Sequence, residues 1–194
     1  DNDRQLVLSV YLVGFAAAQL VWGPLSDRFG RRPALTAGLG LYVVASVVAA
    51  LAPSFEALLA ARLAQGLAAA STRVIALALV RDCYSGRAMG RVMSLVMMVF
   101  MAVPILAPSI GQLVLLVAPW RWMFALLLVG GVAMLAWVLR RLPETLPAAG
   151  RRSLRLGPLV AGYREVLATP VTLGYMLALG VLFGALFAFL TSAQ

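Results

Sequence analysis

The stretch Gly23–Pro33 reads Gly-Pro-Leu-Ser-Asp-Arg-Phe-Gly-Arg-Arg-Pro and separates two almost purely apolar runs. Leu6–Trp22 precedes it and Ala34–Ala52 follows it. Each run is close to the roughly 20 residues that a helix needs to cross a hydrocarbon core at about 1.5 Å rise per residue. We therefore predict that the polar stretch is an extramembrane loop between two membrane-spanning helices.

The composition is that of a membrane protein. The chain is 63% hydrophobic and 12% charged, with a mean hydropathy of +0.97, more apolar surface than a soluble domain needs. All six long apolar runs are long enough to span a bilayer: Leu6–Trp22, Ala34–Ala52, Phe55–Val80, Val92–Ala118, Trp122–Leu139 and Val171–Thr191. The predicted fold class is an all-α polytopic membrane protein.

The arginines predict the orientation of the spans, because short loops rich in Arg or Lys stay in the cytoplasm. All 16 basic residues are Arg. Two of them, Arg62 and Arg73, lie inside the third span, and only Arg4 and Arg121 fall on one membrane side. The other 12 fall on the side of Gly23–Pro33: Arg28, Arg31, Arg32, Arg81, Arg87, Arg91, Arg140, Arg141, Arg151, Arg152, Arg155 and Arg164. Gly23–Pro33 is therefore predicted to be cytoplasmic.

This basic charge also excludes one class of partner. Charges confined to one membrane side are explained by topology and by anionic lipid head groups, so the lipid bilayer is the expected partner and nucleic acid is not. Cys83 is the single cysteine and the chain has no histidine. The sequence therefore predicts no disulfide, no Cys/His metal site and no cofactor.

The third span carries polar and small residues at helical spacing: Arg62, Gln65, Gly66, Ala69 and Arg73. The two arginines are separated by about 20° around a helix axis and about 16 Å along it. A charge at membrane depth costs at least about 2.5 kcal/mol unless it meets a cavity or a partner, which favours an inward-facing surface. The alternative is that each Arg extends toward the head groups.

The fourth span contains the small and helix-distorting residues Pro104, Ala107, Pro108 and Gly111, followed by Gln112. Proline removes a backbone hydrogen bond, and small neighbours let another helix approach closely. We predict a bend here. It is either purely structural or part of a transport pathway.

The stretch Gly23–Pro33 resembles, position by position, the signature loop G-x-L-a-D-r-x-G-r-[KR] of major facilitator superfamily transporters. The matching residues are Gly23, Leu25, Asp27, Arg28, Gly30, Arg31 and Arg32. The resemblance implies that the spans are helices two to seven of a twelve-helix transporter, and that helix one and most of the second half lie outside this chain. It divides the chain into an N-terminal bundle at 1–141, a cytoplasmic link at 142–170 and the first helix of the C-terminal bundle at 171–194.

The same resemblance implies a cytoplasmic gate. In the superfamily the loop aspartate bonds a basic residue near the fourth helix and faces a helix N-terminus of the other half, which favours an anion. Asp27 matches that aspartate, and Arg81 and Asp82 end the third span. The alternative is a topology signal combined with a helix cap.

Two further motifs concern coupling. Arg62-Leu63-Ala64-Gln65-Gly66 resembles the R-x-x-q-G motif that the superfamily associates with proton coupling; Arg73 has no counterpart in it. The Pro108 region resembles the antiporter motif g-x-x-x-G-P-x-x-G-G, with Ala107 and Gln112 replacing two glycines. All seven Asp and Glu residues fall in loops or at span ends. A proton carrier, usually Asp or Glu, is therefore expected in a helix one outside this chain, paired with Arg62.

The order of motifs along the chain looks like the Bcr/CflA subgroup, which exports drugs such as bicyclomycin and chloramphenicol by proton antiport. The motifs are Gln19-Leu20, Gly23–Asp27, Arg81-Asp82, Ala107-Pro108, Trp120–Phe124 and Pro143–Leu146. The resemblance implies a monomeric exporter of small molecules in the bacterial inner membrane and not an enzyme. The alternatives are a metabolite facilitator or symporter, or a non-transporting receptor or scaffold on the same fold.

Overall fold

The computed structural model describes residues 2–151, 154 and 156–192, and these residues form seven α-helices and one short 3₁₀ turn at Ala148–Gly150. This part of the chain contains no strand, and the predicted all-α fold class is confirmed. The helices are α1 Asn2–Phe29, α2 Arg31–Ala50, α3 Phe55–Cys83, α4 Gly86–Val117, α5 Arg121–Arg141, α6 Leu156–Ala168 and α7 Pro170–Ser192.

The predicted loop at Gly23–Pro33 is wrong in its extent. Helix α1 continues through Pro24 to Phe29, and α2 begins at Arg31. Only Gly30 separates α1 from α2. Its φ of 104° is one that residues with a Cβ rarely adopt. The apolar run ends where the polarity changes, but the helix ends where the backbone adopts positive φ.

The connection between the third and fourth predicted spans, which holds Arg81, Arg87 and Arg91, is also shorter than expected. Helix α3 continues to Cys83 and α4 starts at Gly86, so all three arginines are helical. The backbone N–H of Tyr84 still bonds Val80 O at 3.0 Å, which closes the last turn of α3. Charged side chains at a helix end reach water without unwinding it, and polarity alone therefore underestimates helix length.

Helices α1 to α5 are each long and apolar enough to cross a membrane, and α6 with α7 forms a bent pair that passes the same test. Helices α1, α3, α5 and α7 contain the first, third, fifth and sixth predicted spans, whereas α2 and α4 end two residues and one residue before the predicted ends at Ala52 and Ala118. Helix α4 runs without interruption through Pro108 and Gly111, and the bend expected there stays a prediction.

Helix α3 is the centre of the bundle and packs on α1 and α2, while α2 packs also on α5. The main apolar cluster joins α2, α3 and α5 through Ala34, Leu35, Leu39, Ile75 and Val138. A smaller cluster of Ala49, Ala61 and Phe124 joins the same three helices further along.

Two glycines bring α1 and α3 into close contact. A Cβ on Gly66 would collide with the backbone oxygen of Tyr11, and a Cβ on Gly14 would lie 2.6 Å from Leu63 O. The indole N–H of Trp22 donates to Leu67 O at 2.7 Å across the same interface. Backbone contact of this kind is how helices associate where lipid removes the usual hydrophobic drive.

The chain separates into two compact units, Asp1–Arg152 and Ser153–Gln194. The first unit holds α1 to α5 and the second holds α6 and α7. The boundary falls inside the predicted link 142–170, and the link contains α6, which the sequence reading did not anticipate. The three-part division by residue number stays a prediction.

Candidate functional site

The charged cluster comprises Ser26, Asp27, Arg31 and Asp82, where α1 ends, α2 begins and α3 ends. Arg31 Nη1 donates to Asp27 Oδ1 at 2.5 Å and to Ser26 Oγ at 2.6 Å, while Arg31 Nε donates to Asp82 Oδ2 at 2.9 Å. The Arg31 side chain is only 10% exposed. One guanidinium therefore ties three helix ends together.

The side chain of Glu144 connects the segment after α5 to the start of α2. Its carboxylate accepts the backbone N–H of Arg31 at 2.9 Å and of Arg32 at 3.2 Å, the first two residues of α2. An anion at a helix N-terminus satisfies unpaired N–H groups and complements the helix dipole. Thr145 Oγ1 also bonds Asp82 Oδ2 at 3.2 Å, and Arg32 donates to Leu139 O at 2.8 Å near the end of α5.

The expected pairing of Asp27 with Arg81 takes a different form in this structure. Asp27 pairs with Arg31. Arg81 lies in the wall of a cavity of about 380 Å³ that Asp27, Arg31 and Asp82 also line. Of the residues predicted for the gate, Gly23, Asp27, Arg31, Arg81 and Asp82 therefore line one polar cavity, with Arg31 as the cation bonded to Asp27.

The other residues of the loop motif have simpler surroundings. Gly23 lines the cavity beside the charged cluster. Leu25 lines an apolar cavity of about 250 Å³ with Trp22 and Leu67. Arg28 is exposed, and its guanidinium carbon lies 5.5 Å from the ring centre of Phe29. A Cβ on Gly30 would lie 2.5 Å from Glu144 Oε2, so this turn excludes a side chain by space as well as by φ.

A buried polar chain links α3 to α2. Arg62 Nη1 donates to Gln65 Oε1 at 2.7 Å, Gln65 Nε2 donates to Ser46 Oγ at 2.8 Å, and Ser46 Oγ donates to Tyr42 O at 2.8 Å. Gln65 and Ser46 are fully buried. The side-chain amide of Gln65 and the hydroxyl of Ser46 are therefore both hydrogen-bonded, as burial of polar groups requires.

Aromatic rings surround the Arg62 end of this chain. The guanidinium carbon lies 4.5 Å from the ring centre of Tyr11 and 5.7 Å from that of Phe124, within the range of a cation–π contact. Arg62 Nε is buried and has no hydrogen-bond partner among the described residues. The guanidinium therefore retains a donor for a further acceptor. The Arg62 guanidinium thus contacts rings from α1 and α5, and its inward-facing role stays a prediction.

Arg73 has different neighbours from Arg62. Its guanidinium carbon lies 4.6 Å from the ring centre of Phe100 on α4. Gly66, by contrast, lies at the close contact of α3 with α1, where a Cβ would collide with Tyr11 O. Gly66 therefore lies at a packing contact, the two arginines have different neighbours, and the coupling role of these residues stays a prediction.

The residues of the predicted bend lie on α4, in a mostly exposed part of that helix. Ala107, Pro108 and Gln112 are exposed, and Gly111 faces the side chain of Met123 on α5. Pro104 lies in α4, but its side chain is outside the described part of the structure. The described residues therefore do not bring Gln112 to Arg62.

Among the residues of these sites, Tyr11 and Ser46 carried no expectation from the sequence, and Phe124 was noted only as part of a motif. Ser46 carries a usable signal, because it is one of few polar residues within an apolar span. Glu144 was noted only as part of a motif. Its contact with the start of α2 joins residues 113 positions apart, which no local pattern predicts.

Comparison with known proteins identifies the family. A model of the Major Facilitator Superfamily matches residues 3–194. The chain belongs to the Major Facilitator Superfamily. Members of this superfamily are membrane transporters, which agrees with the apolar helices of the bundle and places the chain outside the enzymes.

Individual members of the superfamily resemble the chain over much of its length. It is 35% identical over 189 residues to the uncharacterized MFS-type transporter YdgK of Bacillus subtilis strain 168, covering 96% of this chain and 47% of YdgK. It is 41% identical over 149 residues to the multidrug resistance protein MdtL of Escherichia coli O81 strain ED1a, covering 77% of this chain and 38% of MdtL.

A solved superfamily structure shares the helix arrangement. The crystal structure of the human organic anion transporter MFSD10 (TETRAN) superimposes with a TM-score of 0.67 at 26% identity, covering 87% of this chain and 38% of MFSD10. The chain spans less than half the length of each of these three relatives.

Proposed function

We propose that this chain is part of a secondary active transporter that exports drugs or small amphipathic molecules across the bacterial inner membrane. Export is driven by proton antiport with alternating access, and the transporter is a monomer of the Bcr/CflA subgroup. The observation that carries the proposal is the similarity to the multidrug resistance protein MdtL over 149 residues. The bacterial relatives support the location.

The charged cluster supports alternating access. Arg31 holds the ends of α1 and α3 to the start of α2 by three short bonds. Because the cluster is only partly exposed, these bonds are stronger than ion pairs in open water. The proposed role is to stabilise one state of the cytoplasmic end, which opens when the cluster rearranges. Arg81, in the wall of the same cavity, is the second cation available to Asp27 during that change.

The buried polar chain supports coupling. Arg62 is held by Gln65 and by two aromatic rings, and its Nε is left for an acceptor. A carboxylate that approaches this donor binds as an anion and leaves when protonated, because protonation removes the attraction. Proton binding and release at this point is the proposed link to substrate movement.

The proposal is tested by drug accumulation in an efflux-deficient bacterium that expresses the full-length protein carrying this sequence. Chloramphenicol and bicyclomycin are the substrates, each measured with and without a protonophore. We expect low accumulation that the protonophore restores. Accumulation equal to that of an empty vector, with the protein confirmed in the membrane, would contradict drug export and direct the next assay to metabolite exchange.

Substitutions connect the assay to the two sites. We expect Asp27→Asn and Arg62→Gln to raise accumulation toward the empty-vector level while insertion is unchanged. Asp3→Asn and Arg87→Gln are matched controls, since both residues are exposed and lie outside the sites. Unchanged transport in Asp27→Asn would remove the gate from the proposal, and unchanged transport in Arg62→Gln would remove the coupling role.

A further inference from the structure

Helix α3 carries two positive charges in the part of the chain predicted to cross the hydrocarbon core. Within the six predicted spans, Arg62 and Arg73 are the only charged residues apart from Glu56, which lies in the first turn of α3. At about 1.5 Å per residue, Arg62 lies about 9 Å along the helix from Glu56. By the same measure Arg73 lies about 12 Å from Arg81, near the other end of the helix. These positions place the two arginines at membrane depth, one on each side of the middle of the span.

Aromatic rings contact both guanidinium groups. The Arg62 guanidinium carbon lies 4.5 Å from the ring centre of Tyr11 and 5.7 Å from that of Phe124. The Arg73 guanidinium carbon lies 4.6 Å from the ring centre of Phe100. A ring face is the group that binds an organic cation where no carboxylate is near. Each of these three rings already contacts an arginine, so a second cation at the same ring would also meet that positive charge.

The two arginines differ in how their charge is balanced. Arg62 is the proposed partner of a proton-carrying carboxylate, which balances its charge whenever that carboxylate is ionised. Arg73 has no counterpart in the R-x-x-q-G motif and contacts α4. It lies about 16 Å from Arg62 along the helix, too far for one carboxylate to contact both. The two arginines and the coupling carboxylate together therefore keep a net positive charge.

A charge at this depth is large enough to select among ligands. A ligand at the middle of the span lies about 8 Å from Arg73 along the helix axis. At an effective dielectric constant of about 20, a unit charge at about 8 Å changes the affinity for a monovalent ligand by about 30-fold. The affinity rises for an anion and falls for a cation, while that of a neutral ligand is unaffected by this interaction.

We propose that Arg73 selects the charge of the substrate: the path favours anionic amphipathic molecules such as aromatic carboxylates, accepts neutral ones and rejects organic cations. A guanidinium binds a carboxylate by charge-assisted hydrogen bonds, and the ring of Phe100 beside it suits an aromatic body. Both residues are half-buried, between α3 and α4. The inference rests on the proposed export function, because it names the substrate class of that path.

The test compares three probes that share a dansyl group and differ in charge: dansylglycine is an anion, dansylamide is neutral and dansylcadaverine is a cation. Binding of each probe to the purified full-length protein is followed by dansyl fluorescence in dodecylmaltoside, whose uncharged micelles do not select for charge. Arg73→Gln removes the charge and Arg73→Lys keeps it. Arg87→Gln is the matched control, since it removes an exposed arginine elsewhere.

We expect dansylglycine to bind the wild-type protein at least about tenfold more tightly than dansylcadaverine, with dansylamide between them. Arg73→Gln should reduce this ratio severalfold, whereas Arg73→Lys and Arg87→Gln should keep it. Equal affinity for the three probes, or tighter binding of dansylcadaverine, would overturn the inference from the wild-type protein alone. An unchanged ratio in a folded Arg73→Gln variant would overturn the role of Arg73.

Chloramphenicol accumulation in cells separates this inference from the proposed function. If chloramphenicol is exported and dansylcadaverine binds best, the charge preference is wrong and drug export stands. If dansylglycine binds best in an Arg73-dependent way and chloramphenicol is not exported, the charge preference is supported and drug export is contradicted. Failure of all three probes to bind would overturn the inference whatever the accumulation assay shows.

Discussion

At the scale of single residues, Arg31 and Gln65 each bond at least two partner side chains at once. Arg31 uses two different nitrogens to reach Asp27 and Asp82. Gln65 uses its oxygen for Arg62 and its nitrogen for Ser46. Both roles depend on side-chain shape as well as charge, and this makes them testable by conservative substitution.

We expect Arg31→Lys to lower drug export strongly without lowering the amount of protein in the membrane. An ammonium group is a single point and cannot reproduce the two-sided contact of a guanidinium. Arg31→Gln should lower export further and reduce the free energy of unfolding by about 1–3 kcal/mol, because Asp27 loses its cation and Asp82 keeps only the bond from Thr145. The measurements are accumulation and thermal unfolding in detergent.

The control for Arg31 is Arg87→Gln, which removes an exposed arginine from the same predicted side. It should change neither quantity. Export at the wild-type level in Arg31→Lys would show that the forked contact with Asp27 and Asp82 is not needed.

For the buried polar chain we expect Gln65→Leu to be more destabilising than Ser46→Ala. Gln65→Leu removes the acceptor of a buried charge, at a cost of about 1–3 kcal/mol, whereas Ser46→Ala leaves a neutral amide without an acceptor at the lower end of that range. Thermal unfolding of the two purified variants gives the order. The reverse order would mean that Arg62 finds another acceptor when Gln65 is lost.

At the scale of helices, close contact at glycine positions decides how α1 and α3 pack. We expect Gly66→Ala to lower the unfolding temperature, because its Cβ would collide with Tyr11 O and overpacking costs about 1–3 kcal/mol. Helix propensity alone predicts the opposite sign, since Ala is favoured over Gly by up to about 1 kcal/mol.

Gly40→Ala is the matched control, because a Cβ on Gly40 has nothing within 4 Å. It should be neutral or slightly stabilising. If both substitutions stabilise the protein, the backbones of α1 and α3 are further apart than in this structure.

The start of α2 depends on a residue from a distant segment. We expect Glu144→Ala to destabilise the protein by about 0.5–2 kcal/mol, as for the loss of an N-cap, and to lower export through the displaced Arg31. Glu144→Gln should keep part of the stability and part of the export, since the amide oxygen still accepts one N–H. Thermal unfolding and drug accumulation are measured for both Glu144 variants. Equal effects of Ala and Gln would exclude a capping role.

At the scale of the whole molecule, the arginine distribution predicts which ends of the helices face the cytoplasm. Cys83 is exposed at the end of α3, on the arginine-rich side. We expect a membrane-impermeant maleimide to label it in inverted vesicles and not in intact cells. Asp3→Cys in a Cys83→Ser background should show the opposite pattern. Labelling of Cys83 from outside intact cells would reverse the predicted orientation.

Much of the fold was predictable because it follows from local properties of the chain. Apolar runs of sufficient length predict membrane helices wherever they occur, and the residues Arg62 and Gln65 were selected from one helix by their spacing. The ends of α1 and α3 were not predictable from polarity, because charged residues remain helical until Gly30 and Tyr84 end the helices.

The sequence by itself determined that this is a helical membrane protein, where its spans lie and which family its polar motif belongs to, since these depend on neighbours along the chain. Only the tertiary structure decided that Arg31 rather than Arg81 bonds Asp27, that Glu144 caps α2 and that Tyr11 and Phe124 surround Arg62. Those contacts join separate helices. Their geometry depends on how α3 packs against its neighbours, and no local pattern contains that information.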